Sequence, residues 1–118
     1  MTFLAGHFVD NCLLYAIPTD LKIDEFAKFS RFLLSEIKEK KPACLILDYS
    51  SFQVMDLTEF SRCSDLVKQV EFMGTRVLNH GLSAGVVSTL VDLSVDFEGM
   101  FFFGSLESAI ESIKKNHG

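Results

Sequence analysis

The sequence predicts an α/β domain, a mostly parallel sheet with helices packed against it. Three observations predict this class. Segments with helix and strand periodicity alternate along most of the chain, the run ACLILD at residues 43–48 has the composition of a strand buried on both faces, and a strand pair flanks the turn Asp10-Asn11 near the start. At 118 residues, a second core would leave each half too small to be secure, so residues 1–118 read as one domain. No repeat, low-complexity tract or Pro/Gly/Ser linker divides them.

Residues 3–9 and 12–17 read as the two strands of the opening hairpin, because turn formers cluster only at Asp10-Asn11. Over residues 23–41 the apolar side chains Ile23, Phe26, Phe29, Leu33 and Ile37 recur at the period of one helix face. Asp24 and Glu25 in the first turn and Lys38, Lys40 and Lys41 in the last complement the helix dipole, and Pro42 stops the helix. The run at 43–48 is the expected central strand. After a connection over residues 49–55, Asp56 and Glu59 have the spacing of a capping box, which opens a helix running to about Met73 with Phe60, Cys63, Val67 and Val70 inward. Gly74 ends it, and residues 76–78 form the next strand. Ser83 caps a third helix carrying Val86, Val87, Leu90 and Leu93, residues 100–103 form a last strand, and a fourth helix buries Leu106, Ala109, Ile110 and Ile113. In such a sheet the working loops lie beyond the carboxyl ends of the strands, at residues 49–58, 79–83 and 104–105.

Composition narrows the function. A net charge of −5 and a pI near 5.1 argue against a general electrostatic grip on nucleic acid or an anionic membrane. No apolar stretch approaches the roughly 20 residues that span a bilayer, and the opening MTFLAGHFVDN lacks the pattern of a signal peptide, so a cytoplasmic protein is expected. Cys12, Cys44 and Cys63 are odd in number and far apart, which reads as buried free thiols rather than a disulfide framework or a metal pair. Twelve Phe beside no Trp imply an aromatic core or a surface covered by another protein.

At LILDYSSFQVMD, followed by a helix and by G-x-x-V, the sequence resembles the STAS domains of bacterial anti-sigma-factor antagonists. The stressosome scaffold members of that family are also echoed by NCLL at 11–14, FMGTRV at 72–77, GLSAGVVSTLVDLSVDFEGM at 81–100 and SLESAIESI at 105–113. The resemblance covers nearly the whole chain and implies the STAS fold, with an N-terminal hairpin and about four helices. It also implies a non-catalytic partner-switching module that binds a switch-type Ser/Thr protein kinase or anti-sigma factor and other STAS proteins. The family is phosphorylated on the Ser or Thr directly after a motif Asp at the start of the second helix. That Asp corresponds to Asp56 here, and Leu57 stands in the acceptor position. Thr58, one residue on, and Thr89, which matches a second phosphorylated threonine of larger scaffold proteins, are the remaining candidates. The partner face is expected to involve Asp56, Leu57, Thr58, Glu59, Phe60 and Ser83.

Other constellations point to no catalytic, cofactor or metal site. Asp48 and Asp56 read better as a loop tie and a helix cap than as a metal pair, and His7, His80 and His117 lack ligand spacing. Neither G-x-G-x-x-G, a P-loop nor a G-x-S-x-G elbow occurs. Phe102 must face away from Phe101 and Phe103, because strand side chains alternate. Two alternatives stand beside the scaffold reading: a small-molecule sensor using the rim around His80 and Asp56, and a homo-oligomeric structural component.

Overall fold

A computed structural model of the chain describes residues 6–97, 100, 102 and 103. The opening hairpin is present as β1 (His7–Val9) and β2 (Cys12–Ala16), with Val9 opposite Cys12 across a two-residue loop. Asp10 and Asn11 both take positive φ, 49° and 68°, as a type I′ turn demands, and both residue types tolerate that region. Next come α1 (Ile23–Lys40), β3 (Cys44–Asp48), α2 (Leu57–Phe72), β4 (Arg76–His80), α3 (Ala84–Asp92) and β5 (Phe102–Phe103). The sheet order is β1-β2-β3-β4-β5, antiparallel at the hairpin and parallel thereafter. The expected α/β class is the one observed. Three of the about four expected helices lie among the described residues, and the fourth, with residues 3–5 of the first strand and 104–105 of the last loop, lies outside them.

β3 is central in order and buried on both sides. Leu45 and Leu47 join Leu13, Tyr15 and Val77 on the face covered by Phe29, Leu33 and Ile37 of α1, Cys63, Leu66, Val67 and Val70 of α2, and Val86 and Leu90 of α3. Ile46 and Cys44 join Cys12 and Leu78 on the opposite face, with Leu14 and Phe103 packed beside them. Phe102 and Phe103 therefore do part to opposite faces, and the Phe102 ring packs tilted against Tyr49 and edge-on to Phe97 at centroid distances of 6.1 and 5.7 Å. The Tyr15 hydroxyl donates to Glu36 Oε1 at 2.7 Å, tying β2 to α1. Burial, reinforced by that carboxylate, raises the Tyr15 pKa, and the same hydrogen bond holds Glu36 below its ordinary value. Lys40 bonds Glu36 at 3.1 Å and lies 5.9 Å over the ring of Phe8, an aromatic of the edge strand that remains half-exposed.

Three sequence expectations need correction. Cys12 and Cys44 are not free thiols: they are direct partners in the parallel β2–β3 register, 4.7 Å apart at Cα, and are joined by a disulfide. Their separation of 32 residues hid a pairing that only the strand register creates. Cys63 is the free, buried cysteine, its thiol pushed up to about 12 chiefly by burial. Ile23 was expected to face the core with the rest of its stripe, yet it is 72% exposed, because this first helical residue stands over an open crease beside α2. Leu93 leaves the third helix's apolar stripe because the helix ends at Asp92 and Leu93 serves as its C-cap.

This arrangement predicts the chain's thiol chemistry. Alkylation of the unfolded, unreduced protein should label Cys63 alone by mass spectrometry, and prior reduction should expose all three cysteines. The folded protein should resist labelling at Cys63, since a buried protonated thiol is unreactive. Reduction should lower stability by up to about 3–4 kcal/mol in the chain-entropy account of a loop this long, read from denaturant unfolding.

Candidate functional site

The carboxyl ends of β3 and β4 are adjacent, Asp48 opposite His80, so the loops that leave them start side by side and lead to the starts of α2 and α3. The strand ladder continues one step further, with Tyr49 N–H donating to the His80 carbonyl at 2.8 Å. Asp48 Oδ1 accepts from the Ser50 amide at 2.9 Å and the Ser50 hydroxyl at 2.6 Å, and His80 Nε2 lies 3.9 Å from the same oxygen. The Tyr49 hydroxyl, fully buried, donates to Asn79 Oδ1 at 2.6 Å, and burial raises its pKa. Asp48 thus ties down its loop, as its position at the strand end suggested.

Gly81 makes the close approach of the two loops feasible. Its φ of +95° suits glycine, and a Cβ there would sit 2.6 Å from Asp48 Oδ1 and 2.9 Å from the Ser50 amide nitrogen.

Between Asp48 and α2 the chain alternates anchors with display. Tyr49, Phe52 and Met55 are buried, whereas Ser51, Gln53 and Val54 are exposed, Val54 at 79%. The anticipated capping box is formed: Asp56 Oδ1 accepts from the Glu59 amide at 2.7 Å, and Glu59 Oε1 accepts from the Asp56 amide at 3.1 Å. Leu57 is the first helical residue, half-exposed, and Thr58 is exposed beside it. Phe60 belongs to the core instead, its ring edge-on to Phe97 at 5.3 Å, so it holds the helix start from beneath. Between this segment and the loop before α1 lies a polar cleft of about 350 Å³, lined by Thr19, Asp20, Ser51, Gln53 and Glu59 among others.

The second candidate region is α3. Ser83 Oγ accepts from the Val86 amide at 3.2 Å, the cap expected from sequence. Thr89 is exposed, and its hydroxyl donates to the Gly85 carbonyl at 3.1 Å. The structure therefore brings Asp56, Leu57, Thr58, Glu59 and Ser83 to one end of the sheet, and Thr89 lies one to two turns down α3 from that end. Sequence reasoning missed Val54, whose exposure follows only from its neighbours' burial. Among the described residues, no group of His, Cys, Asp or Glu is placed to hold a metal ion. Within the same residues, no helix is long and apolar enough to cross a membrane.

The exposed pair Val54 and Leu57 thus lies beside the capped start of α2, and the fold that carries it is the STAS fold. The solved structures it resembles include a serine-to-glutamate variant of RsbS from Moorella thermoacetica, with TM-score 0.84 and 22% identity over 98% of this chain and all of that one. A chain of the stressosome, described as a signal integration and transduction hub, matches with TM-score 0.81 and 22% identity over 95% of this chain and 97% of that one. The phosphorylated form of the Bacillus cell-fate determinant SpoIIAA matches with TM-score 0.62 and 12% identity over 95% and 99%. Among curated proteins, the uncharacterized protein YezB of Bacillus subtilis is 25% identical over 75 residues, 64% of this chain and 76% of that protein. No family model matches the chain.

Two substitutions test how the site is held. Gly81→Ala should destabilise by about 1–3 kcal/mol, through positive-φ strain and collision with Asp48 and Ser50. Asp56→Ala should cost about 1 kcal/mol through the lost cap. Urea unfolding of both variants checks the magnitudes.

Proposed function

We propose that this chain is a non-catalytic interaction module, a scaffold-type STAS protein acting in the cytoplasm in bacterial partner-switching stress signalling. It presents the start of α2 and the preceding loop to a switch-type Ser/Thr protein kinase or anti-sigma factor, and it assembles with other STAS proteins. The observation that carries this reading is the exposed Val54–Leu57 surface on a loop pinned by buried Tyr49, Phe52 and Met55. A preordered apolar surface loses little entropy on docking, which favours a polypeptide partner. Support also comes from the fold shared with RsbS and the stressosome chain over almost the full length of each.

Leu57 is the distinguishing feature of the switch. A phosphate after the capping Asp would add about −1.5 to −2 charges, and leucine has no hydroxyl to carry it. The surface is therefore constitutively unphosphorylated at that position, or control passes to Thr58 or Thr89. Electrostatics favour Thr58, which lies at a helix amino end where negative charge is stabilised. Thr89 sits in the second half of α3, and its hydroxyl is already turned back to a carbonyl. Thr58 is rotated about 100° from Leu57, so a kinase fitted to the neighbouring position meets it at a different angle.

Incubation with a switch-type kinase and ATP should give no phosphopeptide at Leu57, and Leu57→Ser should create one, detected by mass spectrometry. Any label on the wild-type chain should vanish in Thr58→Ala. Val54→Asp and Leu57→Asp should each weaken kinase binding roughly tenfold in calorimetry, the scale of an interface hot spot, with the circular dichroism spectrum unchanged. Inert Leu57→Ser together with unaltered binding by both Asp variants would overturn the proposal.

A further inference from the structure

The exposed Ile23 belongs to a second surface, away from the start of α2. A crease of about 330 Å³ runs along the seam of α1 and α2, lined on α1 by residues from Ile23 to Leu34, a stretch of about 16 Å or three helical turns. Ala27 and Ser30 lie one turn apart within it, and such short side chains admit close approach of another helix. Phe26, Leu34 and the buried Leu66 supply the apolar lining. Its charged residues are Arg31 on the α1 side and Arg62 and Asp65 on the α2 side, so two guanidinium groups face one carboxylate in a chain whose net charge is −5.

Length, apolar stripe and local sign together define the occupant. We propose that the α1–α2 crease docks an acidic amphipathic helix from a partner polypeptide. Its apolar stripe lies along Ile23 and Ala27, and its carboxylates meet Arg31 and Arg62. The Arg62 guanidinium already donates to the Leu21 carbonyl at 3.3 Å, which holds it at the crease, whereas Arg31 is exposed on the flank of α1. Docking by a helix in a groove draws its affinity from anchors spaced one turn apart, the spacing found here. This site is independent of Leu57.

Two labelled helical peptides of about 14 residues, sharing one leucine stripe but flanked by Glu in one and Lys in the other, provide the probe. In fluorescence anisotropy titrations the Glu peptide should bind the intact chain with Kd below about 100 µM and roughly tenfold more tightly than the Lys peptide. Arg31→Glu should abolish or invert that preference, Ile23→Ser should weaken both peptides, and Leu57→Ser should change neither. Both crease residues are exposed, so circular dichroism should show the variants folded. Equal binding of the two peptides, binding of neither up to about 1 mM, or a preference surviving Arg31→Glu would overturn the proposal. So would self-association, seen by light scattering and lost in Ile23→Ser, since it would assign the crease to a second copy.

Discussion

The double burial of β3 is the constraint on which the rest depends. A strand with Leu45 and Leu47 on one side and Cys44 and Ile46 on the other needs cover on both faces, and β3 finds it in the interior of the sheet, where β2 and β4 pair with both of its edges. Fixed there, it brings Asp48 opposite His80 and sets the origin of both loops at the working end. Polar bonding at that end then follows from position. Asp48 finds the Ser50 amide, Tyr49 finds Asn79, and Gly81 gives the second loop room to pass.

Different forces hold the two ends of the molecule. At the base, Cys12 and Cys44 join β2 to β3 covalently within a ladder that already pairs them. At the top, hydrogen bonds and three buried side chains hold a segment whose other residues face water. A covalent base and a polar-bonded rim thus fix the sheet at both ends by different means.

Much of this was legible in the sequence because it is written locally. The Asp10-Asn11 turn, the Asp56/Glu59 box, the Ser83 cap and the unbroken CLILD strand each depend on residues within a few positions of one another. What stayed hidden depends on separation. The disulfide needs the parallel register, the exposure of Ile23 needs the gap beside α2, and the Tyr49–Asn79 bond joins residues 30 apart. Phe60 illustrates the boundary: its helical spacing marked it as inward, its place beside Leu57 marked it for contact, and packing against Phe97 resolved the conflict toward the core. The resemblance supplied the likeness of the α2 start to an acceptor site, which no periodicity could provide.

The alternation of anchored and displayed residues between Asp48 and α2 separates two kinds of position, one that sets the course of the chain and one that sets its outer face. Tyr49, Phe52 and Met55 carry the shape of the segment, so substitutions at Gln53, Val54 and Leu57 change the outer surface without disturbing how it is held.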